Sequence, residues 1–293
     1  KLVPDNALTR ATRRNIMPVY SVALMRDHPR ASSGKVFPVV AATRGEKTAT
    51  GIPIEFASGA NLASMAGPVL ARLAFPDVLI RVADPESARY AMMRFAVEQP
   101  VTFAAGNNPL QLVQRFQTAE ERRDEILEDI ASGTVSRKAD LPPEVRRALE
   151  PHLRPNPVRA RELEAAAGRS QRFTPAEYWP ELDLVCCWLG GSMAPFVPEA
   201  RGFLPPGAAF RDFGYGSSEG RFTIPVVDEK PEGIVVPHTI FYEFLAVDGE
   251  GAVWVRANAP LLSVIDPKTN RIVQRVGPPQ GSGAVRAREG SVW

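Results

Sequence analysis

Three times before Trp179 an aspartate or asparagine stands directly ahead of a proline and opens an apolar-periodic run: Asp84-Pro85, Asn108-Pro109 and Asn156-Pro157. Each reads as a helix start. The short polar side chain can accept a hydrogen bond from an orphaned N–H of the first turn, and proline supplies the right φ without having an N–H to lose. Helices are therefore expected from Pro85 through Tyr90, Met93, Phe95 and Val97, over Leu110 to Phe116, and over Val158 to Ala167. A further charged helix, Ala119 to Ile130, is ended by Gly133. Upstream, residues 6–26 place Leu8, Ile16, Val19, Tyr20, Ala23 and Leu24 at helical spacing; Pro18 inside that run predicts a kink or a division into two helices, closed by His28-Pro29.

From Trp179 onward the pattern changes to short β-branched and aromatic runs punctuated by glycine and proline. Leu182 to Leu189, Phe222 to Val227 and Ile234 to Val247 predict strands, with another near Phe210. A chain of 293 residues that is 44% hydrophobic can bury a sizeable core, and this mixture of elements points to an α/β fold with layered sheets. Beyond Val247 the composition shifts again. Gly251-Ala252-Val253-Trp254 returns 39 residues further on as Gly290-Ser291-Val292-Trp293. Between the copies lie a candidate strand at Leu261 to Ile265, a turn at Asp266 to Asn270 and a strand at Arg271 to Val276, a layout that suits one β-propeller blade or a plain hairpin. The expected division is a main domain over 1–247 and a short all-β tail over 248–293, which docks poorly because a lone blade has exposed edges.

Charge and cysteine usage narrow the function classes. Thirty-five basic and thirty-three acidic residues leave a formal charge of +2, so no chain-wide field draws in nucleic acid or an anionic membrane, and small-molecule partners are expected. The arginines at Arg10 to Arg14 and Arg122-Arg123 read as solvated helix faces. No apolar stretch approaches the roughly 18 residues of a membrane span, and Lys1 to Arg14 is too polar for a signal sequence. Cys186 and Cys187 are adjacent in an apolar run, where neighbouring side chains face opposite ways; this argues against a mutual disulfide and a zinc site, and for a reducing cytoplasm. His28, His152 and His238 are scattered without metal-ligand spacing and read as structural. Neither Ser58 nor Ser217 sits in the Gly-x-Ser-x-Gly form of a hydrolase nucleophile.

The sharpest local motif is Phe213-Gly214-Tyr215-Gly216-Ser217-Ser218-Glu219-Gly220, between the candidate strands at Phe210 and Phe222. Small residues there let backbone approach a nucleotide, a tyrosine offers a flat face to a purine, and a carboxylate can hold magnesium against phosphate oxygens. An ordinary glycine-serine turn with an exposed glutamate fits the same residues.

Tyr215-Gly216-Ser217-Ser218-Glu219-Gly220-Arg221-Phe222 resembles the Tyr-Ala-Ser-Ser-Glu nucleotide motif of the Gretchen Hagen three (auxin-responsive promoter) acyl-amido synthetase family. Trp179-Pro180, Cys187-Trp188-Leu189-Gly190-Gly191-Ser192, Arg211-Asp212 and Phe241-Tyr242-Glu243-Phe244 follow that family's order. Gly51-Ile52-Pro53, Ser58-Gly59, the helix around Tyr90, Asn108-Pro109 and Asp129-Ile130-Ala131-Ser132-Gly133-Thr134 resemble its bacterial members, and the resemblance runs over residues 1 to about 246. It implies an adenylate-forming fold like that of acyl-CoA synthetases and luciferase, with layered sheets flanked by helices. It also implies ATP and magnesium as cofactors, a carboxylic acid and an amine or amino acid as partners, and a cytoplasmic ligase forming an acyl adenylate. By the same resemblance Tyr215 flanks adenine, Gly216, Ser217 and Ser218 line the nucleotide, and Glu219 is catalytic and holds magnesium. Gly190, Gly191 and Ser192 border the acyl and nucleotide pockets, and Tyr90 and Met93 either shape the acyl pocket or pack in the core.

Several segments depart from the family pattern. Lys1-Leu2-Val3-Pro4 resembles the tail of the family's phosphate-binding loop, whose serine, threonine and glycine residues would precede Lys1, and the chain is expected to be a piece of a longer protein. Ala41 to Lys47 and Ile54-Glu55-Phe56 differ from the serine-proline and tyrosine-glycine runs of bacterial members. The alternative reading is a non-catalytic scaffold with a degenerate nucleotide site and a propeller-like interaction segment.

Overall fold

In the computed structural model the described residues are 7–40, 46–51, 53–54, 58, 62, 67–216, 221–236 and the strands within 244–292, the last and residues 7–15 in backbone only. They divide into two compact units, Met25–Arg211 and a second made of Lys1–Leu24 with Asp212–Trp293, so that one boundary falls inside the first helix, α1 (Ala7–Asp27).

The unit Met25–Arg211 is built on four parallel strands whose order in the sheet is their order in the chain: β1 (Lys35–Val39), β2 (Val101–Gly106), β3 (Leu184–Cys186) and β4 (Ala209–Arg211). Parallel neighbours cannot be joined by a tight turn, so each connection crosses over through helix. Phe37, Ala104, Val185 and Phe210 lie in register across the four strands, and all are buried. Because strand side chains alternate, this row is one face of the sheet. Trp179 packs over it with its ring 5.1 Å from Phe37, 4.9 Å from Tyr178 and 6.1 Å from Phe116. β1 and β2 lie in the helix-rich half, where no strand was located by residue. Pro38 obscures β1: it is tolerated because β1 is the edge strand of the sheet, flanked outside, among the described residues, by a single bridge to Leu73.

The three helix starts form as their residues dictate. α2 (Pro85–Glu98), α3 (Pro109–Glu121) and α6 (Pro157–Ser170) begin with Asp84 accepting from Ser87 N at 2.7 Å, Asn108 from Leu110 N at 2.9 Å and Asn156 from Arg159 N at 3.1 Å. Between them lie α4 (Arg123–Ser132) and α5 (Pro143–Leu149). The break expected between Phe116 and Ala119 falls instead at Arg122. Phe116 and Ala119 are one helical turn apart on the buried face, which keeps α3 intact through them. Arg122 leaves helical geometry to lay its guanidinium 3.7 Å from the Tyr90 ring centroid and to pair with Glu125 at 2.6 Å. α4 ends at Gly133 with φ 71°, where an added Cβ would meet Pro155 N at 2.4 Å, so both the angle and the crowding require glycine. Tyr90 and Met93 are fully buried and belong to the hydrophobic core.

Tyr178, on the short helix α7 (Pro175–Tyr178), is fully buried among Phe173 and Trp179, and its hydroxyl finds no hydrogen-bond partner among the described residues. A buried donor without an acceptor costs about 1–3 kcal/mol. Tyr178→Phe is therefore expected to stabilise the protein by about 1 kcal/mol and to raise its melting midpoint by roughly 2–4 °C. An unchanged midpoint would mean that the hydroxyl is satisfied by buried water.

In the other unit α1 runs unbroken through Pro18, against the expected kink or division. Ile16 and Tyr20 on either side of Pro18, and Leu24 beyond, are buried at four-residue spacing, and their common packing offsets the roughly 3 kcal/mol that an interior proline costs. β5 (Thr223–Ile224) pairs antiparallel with β6 (Ile234–Val235). Further on, β7 (Phe244–Ala246), β8 (Val253–Val255), β11 (Val285–Arg288) and β12 (Ser291–Val292) form one antiparallel sheet, in which β8 pairs with β7 across the domain boundary expected at 247. β9 (Leu262–Asp266) and β10 (Arg271–Val276) pair antiparallel as a separate two-stranded sheet.

Among the described residues no helix is long and apolar enough to cross a membrane, and no three His, Cys, Asp or Glu side chains cluster as metal ligands. Cys186 and Cys187 are buried and not in a disulfide.

Candidate functional site

In a parallel sheet all strands end on the same side, and loops at those ends are where ligands bind. In the unit Met25–Arg211 the loop after β3 is tied to its neighbours there: Trp188 N donates to Asn107 O at 2.9 Å and Cys187 N to Arg211 O at 3.2 Å. Gly190 then leads into a 3-10 turn, Gly191–Phe196, whose first residue has φ +59°. A Cβ on Gly191 would meet none of the described residues within 4 Å, so it is the backbone angle that favours glycine, and the space beside it is open among them. Gly191 and Ser192 are both exposed, and Trp188 is 37% exposed, which is unusual for tryptophan. The end of β4 is pinned by Arg211, which is buried and reaches Asp27 at 3.0 Å. Hydrogen bonds first from Arg26 and then from Arg211 hold the Asp27 carboxyl down to about 2.

The unit containing Asp212–Trp293 carries the first part of the glycine-rich motif, Phe213 to Gly216, in a tightly bonded turn. Tyr20 of α1 donates to Asp212 O at 2.7 Å, and its ring lies 6.4 Å from Phe213. The Asp212 carboxylate accepts from Gly214 N, which bends the chain. Tyr215 N donates to the Thr223 hydroxyl at 2.8 Å, Phe222 N donates to Tyr215 O at 2.8 Å, and Gly216 bridges to Arg221. The Tyr215 ring packs on Phe222 at 5.1 Å, and burial raises its phenol pKa. The bridge brackets Ser217, Ser218, Glu219 and Gly220, which lie outside the described residues, as do Lys1 to Pro4, Ala41 to Gly45, Ile52, Glu55-Phe56, Gly59, His238 and Phe241 to Glu243. Of the expected site residues, the structure thus describes Tyr215 and Gly216 in this unit and Gly190, Gly191 and Ser192 in the other.

Tyr20 and Thr223 were not singled out as site residues. Tyr20 reads as one more apolar position of a helix, and Thr223 as one β-branched residue of a strand; neither carries a local signal for a partner distant in sequence. Gly214 has φ +82°, and a Cβ there would meet Thr223 O at 2.4 Å. Gly214→Ala is expected to destabilise the protein by about 2 kcal/mol or more, read as a lower urea midpoint.

Residues 1–207 match the GH3 family N-terminal domain. The chain belongs to the GH3 family. A curated relative, a jasmonoyl–L-amino acid synthetase, GH3.5, of Oryza sativa subsp. japonica, is 32% identical over 147 residues, which is 47% of this chain and 24% of that protein. The fold is that of two solved structures, a GH3.15 acyl acid amido synthetase and the same kind of synthetase in complex with 2,4-DB. The first has TM-score 0.74 and 19% identity and the second TM-score 0.75 and 19% identity, each covering 98% of this chain. The chain spans about half the length of those structures, 52% and 51%.

Proposed function

We propose that this GH3 chain contributes the acyl-adenylating portion of an ATP-dependent acid–amino acid ligase. The observation that carries the proposal is the family match over residues 1–207, together with the antiparallel bridge between Gly216 and Arg221 that closes on the Tyr215-Gly216 end of the motif. In the proposed reaction a carboxylate oxygen of the acid attacks the α-phosphorus of ATP, the bond to the β-phosphate oxygen breaks, and pyrophosphate leaves. An amine nitrogen of the second substrate, an amine or amino acid, then attacks the acyl carbon; the bond to AMP breaks and the nitrogen loses a proton.

Each role rests on residue chemistry. Tyr215 would flank the purine with the ring side that Phe222 does not cover, and Gly216, Ser217 and Ser218 would line the phosphates with backbone and hydroxyl donors. Gly191 and Ser192 would border bound ligand, a role supported by the open space beside Gly191. The donor set suits magnesium, since a carboxylate and hydroxyls are hard oxygen ligands; Glu219 would hold the ion, which supplies charge neutralisation at the α-phosphate. A reducing, cytoplasmic setting is part of the proposal and is supported by the two buried thiols.

Magnesium-ATP binding to the whole chain by calorimetry tests this. Saturable binding that weakens by about ten-fold or more in Glu219→Ala is the expected result; loss of one charge-assisted contact is worth about 1.5–3 kcal/mol. No binding by a chain whose melting transition is intact would sink the proposal and favour a scaffold with a degenerate site.

A further inference from the structure

α1 is apolar on two sides. Ile16, Tyr20 and Leu24 are buried on one, while Pro18, Val22 and Met25, at helical spacing along the other, are exposed, Val22 by 67% and Met25 by 54%. A helix apolar on both sides is one with packing partners on both. Arg14, four residues before Pro18, continues the exposed stripe, and Arg26 follows its last residue. Over its whole length α1 has Arg10, Arg13, Arg14 and Arg26 against one acid, Asp27.

The unit Met25–Arg211 has a surface of the opposite charge. α4 and α6 pack against each other and leave a groove of about 380 Å³. It is lined from α4 by Asp124, Leu127, Glu128 and Ala131 and from α6 by Pro157, Ala160, Arg161 and Glu164. Both sets have the spacing i, i+3, i+4, i+7, so each is one continuous stripe, roughly 10 Å long, along its helix. Burial separates floor from rim: Ala160 is buried and Leu127 and Ala131 half-buried, whereas all three carboxylates are exposed. The one cation, Arg161, turns its Nε back to Pro157 O at 3.1 Å, and Glu128 and Glu164 make no ion pair among the described residues.

Two packed helices with a groove of this form accept a third helix laid along them. An apolar floor under an acidic rim calls for a helix with an apolar stripe and basic flanks, and α1 is such a helix. We propose that the groove between α4 and α6 binds α1 of a second copy of this chain, with Val22 and Met25 on the apolar floor and the arginines of α1 beside Glu128 and Glu164. The two copies use different surfaces, so a dimer keeps one unfilled groove and one uncovered α1, and larger species grow from it as concentration rises. The inference is independent of the adenylation reading.

Sedimentation velocity of the whole chain over a concentration series tests it. The expected result is an average mass that climbs through dimer, with half-association at roughly tens of micromolar, as small interfaces give. Raising sodium chloride from about 0.1 M to about 0.5 M should move that midpoint several-fold higher, because the rim charges are screened. Val22→Asp, which sets a carboxylate against the acidic rim, and the double variant Glu128→Lys with Glu164→Lys should each be monomeric. These positions are exposed, and an unchanged melting midpoint checks that each variant is folded; should Val22→Asp melt low, Val22→Ser takes its place, with association weakened several-fold. Mixed in equal amounts, Val22→Asp and the double variant should form a one-to-one dimer and nothing larger, since one supplies the intact groove and the other the intact α1. Three outcomes would overturn the proposal. They are a parent chain that stays monomeric, with α1 covered by something other than a second copy; a double variant that associates like the parent, as it would if α1 paired with α1; and a mixture that stays monomeric.

Discussion

Replacing Trp179 with alanine should lower the unfolding free energy by about 4 kcal/mol, within the range of about 3–5 kcal/mol for emptying a large aromatic site. The indole is 1% exposed and is the largest fully buried side chain described. It fills the space between the sheet row at Phe37 and α3 at Phe116, and its Nε1 donates to Ala96 O of α2 at 2.8 Å. Alanine would leave a cavity between sheet and helices and would remove one of the two hydrogen bonds that carbonyl accepts, the other coming from Gln99 N at 3.1 Å. Native domains are stable by only about 5–15 kcal/mol, so the variant would lose a large share of its margin. Trp179→Phe keeps an aromatic ring against Phe37 and Tyr178 and loses the Nε1 donor; it is expected to cost about half as much. Urea unfolding of both variants checks this, and equal losses would mean that the Nε1 bond, not the volume, dominates.

The second large effect is expected at Asp129, near the end of α4. Its buried carboxylate accepts three hydrogen bonds: Tyr90 OH at 2.6 Å, Thr134 Oγ1 at 2.6 Å and Ser136 N at 2.7 Å. Arg94, itself fully buried, donates to Asp129 O at 2.9 Å and Thr134 O at 2.7 Å and pairs with Glu98 at 2.9 Å, so α2, α4 and the loop beyond Gly133 share one polar network. Burial, followed by the hydrogen bond to Asp129, pushes the Tyr90 phenol well up, which keeps its proton available for donation. Asp129→Ala would strand the buried Tyr90 hydroxyl, while half-buried Ser136 N and exposed Thr134 can turn in part to water, so the expected total is about 2–3 kcal/mol. Asp129→Asn keeps the shape and one acceptor oxygen and should cost about half of that. The decisive comparison is with Tyr90→Phe in a double-mutant cycle: strictly additive losses would show that Tyr90 and Asp129 do not act through their shared bond.

The motif Asp129-Ile130-Ala131-Ser132-Gly133-Thr134 was legible as a family likeness, yet its part in this unit is structural. Asp129 feeds the network above, Ile130 is core, and Gly133 permits the left-handed turn. The glycine-serine motif after Phe213 was likewise legible as a string of residues. Its geometry was not, because the bonds that shape it run from Tyr20 to Asp212 and from Tyr215 to Thr223.

By itself the sequence determined the starts of α2, α3 and α6 and the stop at Gly133, because a cap needs a donor and an acceptor only two or three residues apart, and a left-handed turn needs only the absence of a side chain. It also determined that the fold is α/β. Only the tertiary structure decided where α3 breaks, why α1 survives Pro18, and that Lys35–Val39, with its proline, is an edge strand of the parallel sheet. Those outcomes depend on Tyr90 beneath Arg122, on the shared burial of Ile16, Tyr20 and Leu24, and on β2 beside β1. Local propensities of about a kilocalorie are outweighed there by packing from residues distant in the chain, and no pattern read along one segment contains those partners.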